Sequence, residues 1–248
     1  MIPPEVRHAL ATIALAPVLL AQGRHVRRTV AVLPEPVGAR DGDCGDGPLL
    51  RLLIVGDSAA AGVGVRTQDE ALAGRILAGL KEAFRVRWKI LAFTGATTTD
   101  MLHHLTQTPA EAFDVVVTSL GVNDVTGKRS LGDWRRQQKQ FIALLEDKFR
   151  ARHILLSGLP PMHRFPALPQ PLRWYVGRRA GDFNHALAQL AAGQARCEFV
   201  KLGYAMMDPK AMAADGFHPG PPIYGLWAAE VVRRILARRP ELVSEATP

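Results

Sequence analysis

Cysteine is scarce: the 248 residues hold two, Cys44 and Cys197. Neither stands in a Cys-x-x-Cys pair or at ligand spacing from a histidine, which argues against a zinc site and a disulfide scaffold and favours two reduced thiols over a single bridge. Long hydrophobic runs are also missing. The apolar stretch Ala9 to Ala21 covers 13 residues and is interrupted by Pro17, short of the roughly 20 residues that a membrane span needs. There is no internal repeat and no heptad run, so solenoids and coiled coils are excluded. With 48% hydrophobic and 22% charged residues the chain is neither disordered nor collagen-like nor a multispanning membrane protein. A globular chain of this length buries about 70% of its unfolded surface, enough for a sizeable core without staples.

What the sequence has in excess is arginine. Lys and Arg total 31 against 23 acidic residues, a net charge of +8, and the cations are mostly Arg. They fall in scattered pairs (Arg27-Arg28, Arg135-Arg136, Arg178-Arg179, Arg233-Arg234, Arg238-Arg239) and no nucleic-acid motif accompanies them. This reads as a solvated Arg-rich surface, with attraction to anionic lipid headgroups as the alternative and no nucleic-acid partner.

The N-terminal stretch has one positive residue, Arg7, ahead of its apolar run and three, Arg24, Arg27 and Arg28, behind it. That charge order opposes export, so the reading is a helix packed on the domain or lying at a membrane interface, with a cleaved signal or signal anchor as the competitor. The location follows as cytoplasmic or membrane-peripheral in a bacterial-type protein, with export left open. The Pro, Gly and Asp-rich segment Leu33 to Pro48 reads as a linker. The organisation expected is an extension over 1–48, a body over 49–240 and a tail over 241–248.

From Leu49 the chain alternates short apolar runs with helical patterns, the mark of βαβ units and a parallel sheet between helical layers. Strands are predicted over Arg51 to Val55, Val86 to Phe93, Asp114 to Leu120, His153 to Gly158 and Cys197 to Leu202. Helices are predicted over Glu70 to Phe84, Thr99 to Thr108, Leu131 to Arg150, Leu172 to Gly193 and Tyr224 to Arg238. Ligands bind at the carboxyl ends of such strands, and the Pro-rich loop Leu159 to Pro171 follows the fourth strand directly.

The first strand runs into Gly56-Asp57-Ser58, which presents a serine hydroxyl at the sheet's carboxyl edge, a placement that suits a nucleophile and equally suits an Asp/Ser turn capping the next helix. Three more segments fall in loops on the same edge: Gly95 after the second strand, Gly121-Val122-Asn123-Asp124 after the third, and Asp215-Gly216-Phe217-His218 near the end. Singly each is weak; their order after successive strands is a much stronger signal.

The ordered set resembles the SGNH hydrolases, the GDSL esterase/lipase family, over roughly Leu49 to Arg239. Ser58 matches the block I serine, Gly95 the block II glycine, Asn123 the block III asparagine, and Asp215 and His218 the block V pair. Ala59 stands where the GDSL string has leucine. The resemblance implies a flavodoxin-like three-layer α/β/α fold with a five-stranded parallel sheet in the order 2-1-3-4-5. It also implies a serine esterase that needs no cofactor and no metal. In chemical terms, His218 takes the Ser58 proton and returns it to the leaving alcohol, while Asp215 fixes the imidazole tautomer. The backbone N–H groups of Ser58 and Gly95 and the Asn123 amide serve as oxyanion donors.

Other residues have plainer readings. Asp57 and Asp124 support their loops, His103 and His104 sit on a helix face without ligand partners, and Trp134, Trp174 and Trp227 pack in the core. Gly62-Val63-Gly64 lacks the Lys-Ser/Thr of a phosphate loop. Met162, Phe165 and Leu168, with Leu172, are the expected apolar wall of a substrate pocket, and His163 either joins its lining or stands solvated in the loop. That wall suggests short- to medium-chain acyl esters or lysophospholipid-like lipids, with peripheral membrane contact through the N-terminal segment. A carbohydrate O-acetylesterase or acyltransferase, and a non-catalytic membrane-associated binding module, are the alternatives.

Overall fold

The computed structural model describes residues 4–127, 129–202 and 208–244. Among these, six strands form one sheet: β1 (Asp41–Cys44), β2 (Leu49–Gly56), β3 (Arg85–Ala92), β4 (Val115–Ser119), β5 (His153–Ser157) and β6 (Cys197–Val200). The sheet order is β1-β3-β2-β4-β5-β6, and β2 to β6 are parallel in the crossover order that the resemblance implies.

The sheet has one strand more than expected. β1 lies within the stretch read as linker and pairs antiparallel with β3, Asp41 opposite Lys89 and Cys44 opposite Val86. Its sequence, Asp-Gly-Asp-Cys, has little strand propensity; it is extended because the outer edge of β3 offers unpaired N–H and C=O groups. Both cysteines are free, and they sit on opposite edge strands. Five interstrand spacings amount to about 24 Å, far outside the reach of a disulfide.

Side chains alternate along each strand and feed two cores. Leu53, Val55, Val116, Ile154 and Leu156 face one side; Leu52, Ile54, Val115, Val117 and Leu155 face the other. The helices are α1 (Pro4–Thr29), α2 (Ser58–Ala61), α3 (Leu72–Leu80), α4 (Thr98–Gln107), α5 (Val122–Thr126), α6 (Leu131–Asp147), α7 (Leu172–Ala192), α8 (Pro221–Ala237) and α9 (Arg239–Ser244). The first core is covered by α1, α4, α6 and α7, where Trp134 lies 4.5 Å from Phe183, ring to ring. The second is covered by α3, α8 and α9 through Ile76, Trp227, Val231 and Leu242. Trp174 differs from its two counterparts in being only half-buried. Leu242, which falls in the expected tail, is buried, and Arg152 donates to the Glu241 and Leu242 carbonyls.

The N-terminal stretch is one helix that runs through Pro17 and lies on the domain. Leu15, Leu19 and Val26 join the first core, and Gln22 bridges to α7, donating to the Gln170 carbonyl at 2.7 Å and accepting from the Leu172 N–H at 3.0 Å. No helix among the described residues is long and apolar enough to cross a membrane.

The chain between α1 and β1 does not hang free. It crosses the carboxyl rim of the sheet as a strap, with Val37 bonded to Arg66 and Gln68 and with Pro36 against Gly62.

Candidate active site

β2 delivers Ser58. Its last residue, Gly56, lies so close to β4 that a Cβ there would stand 2.2 Å from the Ser119 carbonyl oxygen, so only glycine permits the approach. Asp57 caps α2, its carboxylate accepting from the Ala59 N–H at 3.1 Å, and Ser58 becomes the first residue of that helix. From α8, the Tyr224 hydroxyl donates to the Ala59 and Val63 carbonyls and holds the turn in place.

The segment before α8 delivers the imidazole. Asp215 accepts the Phe217 and His218 N–H groups on one carboxylate oxygen, both at 3.0 Å, and faces His218 Nδ1 with the other at 2.5 Å. On the far side of the ring, Nε2 lies 2.9 Å from Ser58 Oγ. Burial alone would push the Asp215 carboxyl up, but the hydrogen bonds from His218 and the two N–H groups outweigh it and hold the group below its ordinary value. Asp57 goes the other way: it is buried, and desolvation pushes it up to about 7 against the Ala59 N–H and His218.

Gly95 and Asn123 flank Ser58, one following β3 and the other β4, the two neighbours of β2. Gly95 has φ +83° and nothing within 4 Å of the place a Cβ would take, so its backbone is open to a substrate. Asn123 Nδ2 donates to the Ala96 carbonyl at 2.9 Å, which ties the two loops together and leaves its second N–H for another acceptor. Below them Asp124 is buried and accepts from the Thr98 N–H and hydroxyl, and Gln138 donates to the same hydroxyl.

A cavity of about 40 Å³ opens beside Ser58 and His218. Among the described residues its walls include Val122, Phe165, Leu202, Phe217, Ile223 and Trp227. Of the loop residues expected there, Phe165 lines it, with its ring 5.1 Å from that of Phe217. Met162, Leu168 and Leu172 do not: they are buried in the first core, Met162 and Leu168 because the loop turns them inward and Leu172 on the inner face of the first turn of α7. His163 faces a separate, wider groove of about 460 Å³ that shares Pro160 and Leu202 with the cavity and is also lined by Asn184, His185 and Lys201. His103 and His104 lie exposed on α4.

Several residues that build the site carry no signal in the sequence. Gly62, in a left-handed conformation, ends α2, and Gly64 lets the His218 segment close in, since a Cβ there would lie 2.2 Å from the Pro219 carbonyl oxygen. Both belong to the glycine pair rejected as a phosphate loop; their role is close packing.

The GDSL-like Lipase/Acylhydrolase family model matches residues 54–226, well over half of the chain. The chain belongs to this family. It is a carboxylic ester hydrolase of the GDSL type, and a GDSL-like esterase of Mycobacterium tuberculosis is 29% identical to it over 85% of this chain and 73% of its own length. Two solved structures carry the same fold. A lipolytic G-D-S-L family protein from Veillonella parvula aligns with a TM-score of 0.59 at 15% identity, covering 75% of this chain and 97% of its own. An acetylxylan esterase from Geobacillus stearothermophilus aligns with a TM-score of 0.51 at 18% identity, covering 78% and 95%.

Proposed function

We propose that this GDSL hydrolase cleaves short-chain carboxylic esters through an acyl-enzyme on Ser58. The observation that carries the reading is the single imidazole of His218 held between Ser58 Oγ and the Asp215 carboxylate, at 2.9 and 2.5 Å. Nδ1–H donates to Asp215, which leaves Nε2 as the acceptor for the serine proton. As Oγ attacks the ester carbonyl, the proton passes to Nε2 and the imidazolium is stabilised by the carboxylate. The oxyanion that forms takes the Ser58 and Gly95 N–H groups and the free Asn123 amide N–H. His218 then protonates the departing alcohol, and a water activated at the same nitrogen releases the acid.

The cavity beside Ser58, about 40 Å³ and walled largely by apolar side chains, favours the shorter end of the short- to medium-chain acyl expectation. The groove beyond Pro160 and Leu202 offers the leaving alcohol a larger, partly polar space, which favours a second reading in which an O-acetylated carbohydrate is the substrate. The acetylxylan esterase of like fold is compatible with it.

The test is a series of p-nitrophenyl esters: kcat/KM falls at least about tenfold from butyrate to octanoate, and Ser58→Ala abolishes turnover of all of them. A preference for octanoate would overturn the acyl-length reading; turnover by Ser58→Ala would overturn the nucleophile. Release of acetate from acetylated xylooligosaccharides separates the two alcohol classes.

Peripheral membrane contact belongs to the same proposal. On α1, Ile13, Val18 and Leu20 are exposed, and Arg24, Arg27 and Arg28 follow them, an arrangement that suits an anionic bilayer surface. Sedimentation with phosphatidylglycerol vesicles, absent with phosphatidylcholine vesicles and lost in Ile13→Asp/Leu20→Asp, is the expected result; equal behaviour of variant and parent would refute the contact.

A further inference from the structure

The glycine proposed as an oxyanion donor sits in a loop held from two sides by carboxylates, and one of them comes from outside the region that matches the family. At the inner end, Asp124 and Gln138 fix Thr98. At the outer end, Glu35 Oε1 accepts both the backbone N–H and the hydroxyl of Thr94, each at 2.9 Å. Glu35 Oε2 in turn accepts from Arg40 Nη1 at 2.7 Å, and Arg40 Nη2 donates to the Ala92 carbonyl at the end of β3. Glu35 lies between Pro34 and Pro36, which stiffens the strap and restricts the conformation of the glutamate itself. Pro36 rests against Gly62, just beyond Ser58. One short segment therefore touches the two loops on either side of the nucleophile.

We propose that Glu35 is a positioning residue: through Thr94 it sets the direction in which the Gly95 N–H points at the developing oxyanion. The inference rests on the reading of Gly95 as an oxyanion donor. Beyond any contribution to stability, both bonds that Glu35 Oε1 accepts converge on Thr94, the residue directly before Gly95. Direction is what one oxygen shared by the N–H and the hydroxyl of the same residue supplies. Thr94 and Gly95 are the exposed centre of a turn closed by the Ala96 N–H on the Phe93 carbonyl, and with Gly95 at φ +83° the peptide between them can flip within that turn once Glu35 is removed. Such a donor must be aligned before the transition state to be effective there.

The experiment uses the full chain with Glu35→Ala, Glu35→Gln and Thr94→Val, and measures kcat and KM on p-nitrophenyl acetate, affinity for a boronic acid that mimics the tetrahedral intermediate, and the melting temperature. Glu35→Ala is expected to lower kcat about tenfold at unchanged KM and to weaken boronic acid binding by a similar factor, the size of one misaligned hydrogen bond. Glu35→Gln, whose amide oxygen accepts from the same two Thr94 groups while its NH2 gives up the Arg40 bond, restores part of the loss. Thr94→Val, which keeps the N–H bond and loses the hydroxyl bond, falls between, and carries the test if Glu35→Ala proves poorly folded. Unchanged kcat in Glu35→Ala and Thr94→Val, a change confined to KM, or a loss in Glu35→Gln as large as in Glu35→Ala would overturn the proposal. Residual activity in Ser58→Ala would instead overturn the underlying nucleophile assignment, whatever Glu35 does.

Discussion

Asp57 is the group whose replacement has the most calculable effect. Its carboxyl lies next to Ser58, 2% exposed, and caps α2 through the Ala59 N–H. Burial raises its pKa from 3.8 to about 7, the Ala59 N–H and His218 opposing the shift and Asp124 adding to it. A carboxyl with a raised folded-state pKa binds its proton more tightly in the native protein than in the unfolded chain. Below pH 4 both states are protonated and the group is neutral to stability. Between pH 4 and 7 the unfolded chain has released the proton while the native state still holds it, so stability falls as the pH rises. At 1.36 kcal/mol per pH unit the full loss by pH 7 is about 4 kcal/mol. Asn at this position is as good a helix cap, accepts the same N–H and does not titrate. Asp57→Asn is therefore expected to match the parent near pH 4 and to exceed it by a margin that grows to about 4 kcal/mol above pH 7. Urea unfolding at half-unit intervals from pH 4 to 8, with the slope checked for constancy, gives the difference directly. A gap that does not change with pH would refute the reasoning, because it would mean that Asp57 ionises in the native state as readily as in the unfolded one.

Three further outcomes follow from single contacts. Gly64→Ala places a Cβ 2.2 Å from the Pro219 carbonyl oxygen and 3.3 Å from His218 Cβ at φ +110°, so kcat should drop at least about tenfold, with about 2 kcal/mol lost in chemical denaturation. Asp114 is buried beneath Arg51 and Arg152, and although burial would raise its carboxyl, the Arg51 hydrogen bonds hold it below 3.8; the stability it supplies is present above pH 4 and lost as the pH falls through its native value, so Asp114→Asn should be about 3 kcal/mol less stable at pH 7 and less sensitive to acid. Gly225→Ala, at a helical position where a Cβ meets nothing within 4 Å, should raise the unfolding free energy by about 0.5–1 kcal/mol at unchanged activity.

The parts of this protein that were legible in the sequence are those tied to a repeating period. The five parallel strands and the helices between them alternate apolar runs with helical spacing, and that alternation sets the sheet edge at which Ser58, Gly95, Asn123, Asp215 and His218 all fall. The parts that were not legible lie where the period fails. In Leu159 to Pro171 no rule of two or of 3.6 separates Phe165, which faces the cavity, from Met162 and Leu168, which face the core: all three are apolar and the direction of each is set by turns. β1 has a composition that argues against a strand and exists because an edge was free. Glu35 is a carboxylate among prolines whose partner lies 59 residues away, and nothing local marks it.

The same contrast bears on how the site is assembled. The serine and histidine are 160 positions apart, yet each is fixed by short-range devices: a helix cap at Asp57, a turn closed on Asp215, a glycine where a close approach demands one. Such devices travel with their motif, which is why a family signature is readable at all. The loop that carries Gly95 is different. Its inner end is fastened to Asp124, next to the block III asparagine, but its outer end is fastened to a strap that continues from a helix lying on the far face of the first core. A displacement of α1 along α7, such as burial of Ile13 and Leu20 in a bilayer would cause, is expected to reach Glu35 through residues 30–34. If the linkage operates, phosphatidylglycerol vesicles should alter kcat on a soluble p-nitrophenyl ester in the parent protein and leave Glu35→Ala unaffected; an equal response in both would show that the strap transmits nothing.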